Sequence, residues 1–407
     1  MWFRLLVLAL GTFALGTDTF VIVGILPEIA HHLHVSVDVA GQLVTVFSLT
    51  YALGSPILTA LVATMAPRRL LLLSLALFAM ANLLAASAST FAIVLVARIL
   101  AATGAAVFTP TASAAAAALA PTEKRGRALA LVTAGMTISL VLGVPLGIFV
   151  GSGLGWQMTF LLLAFLSALA FVGVMVFFPP LANPPAIRLR ARLALLRRPV
   201  LLVTLFYSTC CGVGGFTVYT YLGLLFEQRT HLNGAGISSM FLLFGLASVL
   251  GNGIGGYGAD RWGTTRTMTV SALLVGLALL ALPLVAFSIP AAALALAVWG
   301  VAGWLNMPSQ QSRLIALAPE VPSEILSLSV SALYIGTASG SALGGLVLRF
   351  APVTSLGWVG CGGYVIALAV LFWSVRLASK APQRPAQEQS TVADGDTSQA
   401  PQTCMEL

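Results

Sequence analysis

Long apolar runs follow one another along almost the whole chain, and only short polar breaks separate them. An α-helix needs about 20 apolar residues to cross the hydrocarbon core of a bilayer. Twelve runs are long enough, at about 4–29, 40–64, 70–88, 91–119, 127–151, 157–178, 200–226, 236–258, 267–287, 290–314, 325–349 and 355–377. Because such long runs recur throughout the chain, helices are favoured over a β-barrel. The pattern predicts an all-α integral membrane protein with twelve transmembrane helices.

The twelve runs form two groups of six. Between the groups lies the only long interior polar stretch, Pro179–Pro199, which holds five Arg and several Pro. We predict a short amphipathic helix on the membrane surface here. The final stretch is rich in Pro, Gln, Ser and Thr, and we expect it to be disordered. The predicted organisation is a six-helix bundle over 1–178, a linker over 179–199, a second bundle over 200–378 and a tail over 379–407.

The two halves are also related in sequence. A shift of 197 or 198 residues places five Gly or Pro residues on matching residues, Gly54 on Gly251, Gly143 on Gly340, Gly147 on Gly344, Pro110 on Pro308 and Pro121 on Pro319. An even number of spans separates the matches, so both halves have the same orientation in the membrane. Parallel repeats of this kind are typical of one large class of transporters. The repeat predicts two pseudo-symmetric six-helix bundles.

Composition excludes a soluble globular protein. Only 8% of the residues are charged and 59% are hydrophobic, whereas soluble domains carry about 25% charged residues. The net charge of +8 does not indicate nucleic-acid binding, because the basic residues lie in short breaks between apolar runs. With the N-terminus inside, all Lys and Arg except Arg98, Arg229 and Arg349 fall on the cytoplasmic side. We therefore expect a protein embedded in the lipid bilayer with both termini in the cytoplasm.

Two ionisable residues lie well inside predicted spans, Asp18 in the first and Arg98 in the fourth. Charged groups at this depth are costly and usually functional. Counted from opposite ends of their helices at about 1.5 Å per residue, their depths agree within about one helical turn. They can pair, and an Asp18 separated from Arg98 would take up a proton, which is the behaviour that proton coupling requires. A static structural ion pair is the alternative.

Acidic, basic and glycine residues are concentrated in one stretch between two apolar runs, Gly251–Arg266, which reads GNGIGGYGADRWGTTR. The spaced pattern within it is Gly256, Asp260, Arg261, Gly263 and Arg266. Glycine permits sharp turns and close helix approach. The stretch predicts a tight hairpin between two helices at the membrane surface, and a polar loop that merely ends two helices is the alternative.

Three motifs carry a family resemblance. GYGADRWGTTR resembles the G-x-x-x-D-R-x-G-x-x-R loop signature of the major facilitator superfamily, and VARILAATGAA, which contains Arg98, is similar to that superfamily's fourth-span motif. GMTISLVLGVPLG resembles the Gly/Pro-rich motif of its drug:proton antiporters. The first two spans resemble bacterial efflux permeases for chloramphenicol-type drugs, sugars and purine compounds. The resemblance implies the major facilitator fold, alternating access, no enzymatic activity, no cofactor and a place in the bacterial inner membrane.

The resemblance also implies roles for particular residues. The signature stretch, together with Arg69, is expected to latch a cytoplasmic gate, although the first-half copy of the signature keeps little besides Arg69. The antiporter motif places four residues on the fifth span: Gly135, Gly143, Pro145 and Gly147. Polar or aromatic residues within other spans are candidates for the substrate cavity: Gln42, Tyr51, Asn82, Tyr219, Asn252, Trp304, Asn306, Gln310 and Tyr334. Helix–helix hydrogen bonds or aromatic anchoring at the lipid interface are the alternatives for each of these.

The functional prediction is a monomeric secondary transporter that exports small amphipathic molecules or drugs by proton antiport, with protons and one small-molecule substrate as its ligands. An importer or facilitator of sugars, nucleosides or other metabolites is the alternative, and a non-transporting membrane protein is a lesser one. No metal site is expected. The four Cys have no metal-binding or redox spacing, and the adjacent His31, His32 and His34 are interpreted as exposed loop residues.

Overall fold

The computed structural model describes residues 2–62, 64–121, 124–179 and 194–380. Every regular element in this part of the chain is helical, and twelve long helices are apolar enough to cross a membrane. They are α1 Trp2–His32, α2 Val37–Leu61, α3 Pro67–Ala86, α4 Phe91–Leu119, α5 Arg125–Leu154, α6 Trp156–Phe177, α7 Pro199–Thr230, α8 Gly234–Arg261, α9 Thr264–Val285, α10 Ile289–Leu317, α11 Pro322–Phe350 and α12 Ser355–Lys380. The predicted class and number of spans are confirmed.

Most of the predicted linker lies outside the described residues, as 180–193 do, and so does the predicted tail beyond Lys380. A short 3₁₀ turn, Leu195–Arg197, directly precedes α7. The next residue, Arg198, pairs with Glu320 in the turn between α10 and α11. The described end of the linker is therefore held against the second group of helices.

The two groups of six helices pack in the same way. Helix α1 packs on α5 and α6, and α7 correspondingly packs on α11 and α12. Helix α3 lies between α4 and α6, just as α9 lies between α10 and α12. We call α1–α6 the N-terminal half and α7–α12 the C-terminal half. The terminal face is the membrane side where α1 begins and α12 ends, and the distal face is the opposite side.

Two of the three matched glycine pairs of the repeat lie at equivalent close approaches, Gly143 with Gly340 and Gly147 with Gly344. A Cβ on Gly147 would lie 2.5 Å from Val21 of α1, and one on Gly344 would lie 2.6 Å from the Thr217 carbonyl of α7. The same holds for Gly143 against Thr17 of α1. Glycine removes the side chain that would hold two helices apart. The repeat thus reflects the contact of α5 with α1 and of α11 with α7.

The stretch Gly251–Arg266 contains the predicted tight turn between two helices, but the turn is much shorter than the stretch. Helix α8 continues to Arg261, and the turn consists of Trp262 and Gly263 alone. Gly263 has a φ of +85° and is the residue that needs glycine for the turn. The earlier glycines are helical instead. The Cβ positions of Gly251 and Gly255 face the α10 backbone within 3 Å, so these residues serve helix packing.

Helix α5 contains a π-helical turn over Ser139–Gly143, which the sequence did not reveal. The N–H of Val144 donates to the Ser139 carbonyl, five residues earlier. Pro145 follows directly and has no N–H, so the carbonyl four residues before it lacks a helical partner. Such turns interrupt the regular ladder and are frequent at functional sites. Here the turn contacts both α8 of the other half and α1 of its own half.

Candidate functional site

Two antiparallel helix pairs on the distal side form most of the contact between the two halves, and α1 also contacts α7. In the first pair, Tyr51 of α2 stacks on Tyr334 of α11 with ring centroids 4.2 Å apart. Closer to the distal face, the Ser341 hydroxyl donates to the Gly41 carbonyl at 3.0 Å. At that face, Arg349 Nε lies 2.7 Å from Asp38 Oδ2. These contacts join α2 and α11 continuously from mid-membrane to the distal end.

The second pair consists of α5 and α8. The Ser238 hydroxyl of α8 donates to the Pro145 carbonyl of α5 at 2.8 Å. Gly245 of α8 faces the backbone of Leu140 in the π-helical turn, and a Cβ there would lie 2.8 Å from the Leu140 carbonyl carbon. Before the π turn, α5 packs mainly on α1 and α4 of its own half. The α5–α8 contact is therefore also confined to the distal side.

Towards the terminal face the halves separate. Phe20 of α1 and Phe216 of α7 meet across the halves, with ring centroids 6.5 Å apart and planes inclined by 25°. On the same faces of these helices, exposure rises towards the terminal face, reaching 53% at Leu6 and 49% at Phe206. Leu61, at the terminal end of α2, is 72% exposed. The space between the halves is thus a wedge that is closed distally and open at the terminal face.

The two ionisable residues predicted from the sequence are brought together beside this wedge. Arg98 Nη1 of α4 lies 2.7 Å from Asp18 Oδ2 of α1, and both side chains are at most 1% exposed. The Phe47 ring lies 4.1 Å from the guanidinium carbon, a cation–π contact. Asp18 Oδ1 and Arg98 Nε have no hydrogen-bond partner. The pair is buried, but its hydrogen-bonding capacity is not saturated.

Aromatic rings close the deep end of the wedge on the α7–α8–α10 side. Tyr219 contacts Phe20 of α1 at 6.2 Å between centroids, Phe244 of α8 at 5.3 Å and Trp299 of α10 at 6.1 Å. Its hydroxyl is buried and has no hydrogen-bond partner. The predicted cavity residue Tyr219 therefore lies in an aromatic cluster that spans both halves.

Asn306 and Gln310 share one face of α10, as their spacing of four predicts, and both bond to α7. Asn306 Oδ1 accepts a hydrogen bond from the Tyr207 hydroxyl at 2.8 Å, and Gln310 Nε2 donates to the Ser208 hydroxyl at 2.8 Å. These contacts lie within the C-terminal half. They match the alternative role, helix–helix hydrogen bonding, and they fix α10 to α7.

Arg313 is a buried cation that the sequence analysis only counted among the basic residues on the cytoplasmic side, at the end of the tenth apolar run. It lies inside α10, is 7% exposed, and donates to the hydroxyls of Thr265 in α9 and Ser374 in α12. Its position three residues after Gln310, within an apolar run, was the signal that could have identified it. Arg313 ties together the terminal ends of three helices.

Other cavity candidates lie elsewhere. Gln42 lines a small pocket at the distal face beside Asp38 and Arg349. Asn82 is buried in α3 and donates to the Phe78 carbonyl of its own helix. Helix α3 packs on α4 and α6 within its half, so the structure does not place Asn82 on the wedge. Asn252 on α8 is exposed and Trp304 on α10 is half-buried.

The predicted latch is not engaged in this conformation. Asp260, Arg261 and Arg266 are exposed near the terminal face, as is Arg69 at the start of α3. The Arg261 guanidinium lies 5.6 Å from the Tyr257 ring centroid, on its own helix. Within the described part of the chain, no ion pair joins these residues to the other half. Gly256 is helical and half-buried, and Gly263 forms the turn.

The glycine face of the antiporter motif packs inside its own half. Gly135 faces Ala9 and Thr12 of α1, and the Cβ positions of Gly143 and Gly147 also face α1. These glycines therefore do not form the contact between the two halves. That contact is made by the backbone at Leu140 and Pro145, next to the glycines, and by glycines of α8. The motif holds α5 tightly on α1 so that its other side can meet α8.

Potential metal ligands do not cluster in the described residues, which contain no group of three or more His, Cys, Asp and Glu side chains. His31 and His32 are exposed at the end of α1. Cys210 and Cys211 are buried in α7, and Cys404 lies outside the described residues.

The structure has two similar six-helix halves with a wedge between them that is open on one side. A buried ion pair lies beside this wedge. Together these features define a polytopic membrane transporter. The chain belongs to the Major Facilitator Superfamily, since the model of that family matches residues 8–321. The motif-based assignment is confirmed. Its members are transporters and not enzymes, so the chain is a transporter.

The chain is 36% identical over 366 residues to YbcL of Bacillus subtilis, an uncharacterised MFS-type transporter, covering 90% of this chain and 94% of YbcL. It is 35% identical over 265 residues to a chloramphenicol resistance protein of Streptomyces lividans, covering 63% of this chain and 67% of that protein. Among solved structures, a D-xylose-proton symporter superposes with a TM-score of 0.74 at 16% identity, covering 91% and 97% of the two chains. That last likeness concerns the fold alone.

Proposed function

We propose that this transporter exports small amphipathic molecules from the cytoplasm in exchange for protons, by alternating access, and that Asp18 is its proton carrier. The observation that carries the proposal is the buried ion pair of Asp18 and Arg98, 2.7 Å apart and at most 1% exposed. An unpaired carboxylate is very costly in such surroundings. Asp18 is therefore ionised when Arg98 neutralises it, and it takes up a proton when the two separate.

The sidedness of the protein supports export. Exposed Arg and Lys residues lie at the terminal face, including Arg69, Arg125, Arg261 and Arg266. At the distal face, Arg349 is paired with Asp38. The positive-inside rule assigns the terminal face to the cytoplasm. With that orientation, the wedge opens to the cytoplasm, the side from which an exported substrate is loaded.

The cycle then has two states. In the described conformation, the α2–α11 and α5–α8 contacts close the distal side. When they separate, the terminal side closes, and Asp260, Arg261 and Arg266 become available to latch it. Relative movement of the halves also displaces α1 and α4 with respect to α11, and thereby changes the surroundings of Asp18. One proton crossing a total driving force of about 180 mV releases about 4 kcal/mol, enough for a substrate gradient of roughly 10³-fold.

The proposed substrate class follows from the residues that line the wedge. Asp18 and Arg98 neutralise each other, and rings of Phe20, Phe216 and Tyr219 line the deep end of the wedge. This lining favours uncharged or weakly charged amphipathic molecules. The similarity to a protein named for chloramphenicol resistance agrees with this class. Chloramphenicol, purine nucleosides and sugars are the compounds to screen first by thermal shift of the purified protein.

The test uses proteoliposomes with an imposed pH gradient and a screened substrate. We expect Asp18→Asn to lose proton-driven accumulation while retaining substrate counterflow without a gradient, because Asn cannot carry a proton. Glu227→Gln, an exposed carboxylate near the distal end of α7, is the matched control and keeps both activities. Full pH-driven accumulation by Asp18→Asn would refute the coupling role. Reversing the gradient separates export from import or facilitated diffusion.

A further inference from the structure

Tyr334 is the point at which the C-terminal half enters the core of the N-terminal half. The buried apolar cluster around Phe47, Phe78 and Phe108 belongs to α1–α6, and Tyr334 of α11 is its one buried member from the other half among the described residues. The Tyr334 ring stacks on Tyr51 at 4.2 Å, with planes inclined by 22°. The two side chains are only 8% and 5% exposed.

The Tyr334 ring belongs to the same buried cluster as Phe47, whose ring covers the Arg98 guanidinium. The Tyr334 hydroxyl is beside Thr19, the residue that follows Asp18, and it is close enough to interact electrostatically with both charged groups. Helices α1 and α4 thus carry the ion pair, the Phe47 ring of α2 covers it, and Tyr334 of α11 lies within electrostatic range of it.

The Tyr51–Tyr334 stack is also the most terminal of the α2–α11 contacts described above. It lies about ten to twelve residues from the terminal ends of both helices, which is roughly 15–18 Å along a helix. Between the stack and the distal face, the Gly41–Ser341 and Asp38–Arg349 contacts hold the same two helices together. In the proposed cycle, separation of α11 from α2 along this row of contacts would withdraw Tyr334 from the pair.

We propose that Tyr334, stacked on Tyr51, is a lid that keeps water away from the Asp18–Arg98 pair until the two halves move. Exclusion of water from a site prevents proton leakage. The lid makes proton exchange at Asp18 depend on the position of the C-terminal half. The described ionisable groups that interact with Asp18 are Arg98 of α4 and Tyr334 of α11. The physiological meaning of the lid rests on the proposed function, but the exclusion of water does not.

The test measures access to Asp18 directly. Purified protein is treated with a water-soluble carbodiimide and glycine ethyl ester at mildly acidic pH, and amide formation at Asp18 is followed by peptide mass spectrometry. We expect Tyr334→Ala and Tyr51→Ala to raise the labelling rate about tenfold, the upper range for the loss of one aromatic pair. Tyr334→Phe keeps the ring and labels at nearly the wild-type rate.

Tyr364→Ala is the matched control. Tyr364 is another buried tyrosine of the C-terminal half, but it packs against Gly214 and Gly276 within that half. We expect it to leave Asp18 labelling unchanged. Labelling in Tyr334→Ala that is no faster than in Tyr364→Ala would overturn the lid. Equal labelling of Tyr334→Phe and Tyr334→Ala would also overturn it, because the ring would then not be the barrier.

The two proposals fail separately. Faster labelling in Tyr334→Ala supports the lid even if Asp18→Asn keeps proton-driven transport, and that second result rejects only the coupling role. Conversely, unchanged labelling rejects the lid whatever Asp18→Asn does. A thermal unfolding curve for each variant in detergent shows whether it is folded, and Tyr334→Phe with Tyr51→Ala provides a second measurement if Tyr334→Ala does not fold.

Discussion

One added methyl group at Gly245 tests whether the protein moves between the two states of the proposed cycle. Gly245 lies on α8 against the α5 backbone of the other half. A Cβ there would overlap the Leu140 carbonyl and lie 2.8 Å from its carbon and 2.9 Å from the Val141 Cα. Backbone atoms cannot rotate away, so Gly245→Ala has to push α5 and α8 apart by about 1 Å to restore ordinary contact with the Leu140 carbonyl oxygen.

The size of the expected shift in the conformational equilibrium depends on which state carries the strain. Overpacking by one methyl group costs about 1–3 kcal/mol. In the proposed cycle the distal contact is broken in the second state, so this cost falls on the described conformation alone. The equilibrium should move towards the distally open state by roughly 5- to 150-fold. Alanine is also more favourable than glycine inside a helix, by up to about 1 kcal/mol. A control substitution must therefore have the same gain in helix stability.

Two glycines of the same helix supply the controls. Gly253 has no atom within 4 Å of its Cβ position, so Gly253→Ala carries the helical gain without strain. Gly251 faces the Val301 backbone of α10, with the carbonyl carbon at 2.8 Å, so Gly251→Ala strains the C-terminal half internally. We expect only Gly245→Ala to change the spacing of the halves, and Gly251→Ala to lower thermal stability instead.

The assay is double electron–electron resonance between spin labels at Leu154 and Ala235, exposed residues at the distal ends of α5 and α8, in a cysteine-free background. Gly245→Ala should increase the population with a long distance, and Gly253→Ala should match the parent protein. The same distance distribution for Gly245→Ala and Gly253→Ala would show that the α5–α8 contact does not set the conformational equilibrium.

Three further predictions follow. Arg98→Met leaves the Asp18 carboxylate buried without its partner and should destabilise the protein by about 3–5 kcal/mol; adding Asp18→Asn should recover much of this, as thermal unfolding in detergent will show. Asp38→Asn breaks an ion pair whose Arg349 side chain is 55% exposed, so it should lower the free energy of unfolding by less than about 1 kcal/mol. It should shift the distance between the distal spin labels only slightly, and high salt should remove the effect. Asn82→Ala should leave transport kinetics unchanged in proteoliposomes because Asn82 bonds only within α3; a changed KM for substrate would place it on the substrate path after all.

The sequence was sufficient for the parts of the fold that depend on the solvent. A bilayer requires about 20 apolar residues per helix, so the span count and nearly all helix positions could be read from hydropathy. Asp18 and Arg98 could be selected for the same reason, since a charge inside an apolar run is conspicuous and costly. The spacing of four between Asn306 and Gln310 likewise predicted a shared helix face, which the contacts with α7 show.

The sequence did not predict features that depend on backbone conformation or on which helix lies next to a residue. Gly143 and Gly245 look alike in the chain, yet one packs on α1 within its half and the other on α5 across the halves. The π-helical turn beside Pro145 leaves no hydrophobic period to detect. Asn82 and Tyr334 were equivalent candidates, and only the packing of α3 and α11 separates them.

The stretch Gly251–Arg266 illustrates both what the sequence predicts and what it does not. Its residues identified the family, because a charged, glycine-rich signature between two apolar runs is specific. Its conformation was not in the pattern: most of it is helix, and Gly263 alone makes the turn. Hydropathy records how each segment meets lipid or water. Which helices touch, and which face of the protein is closed, depends on close contacts between residues far apart in the chain, and only the tertiary structure decided them.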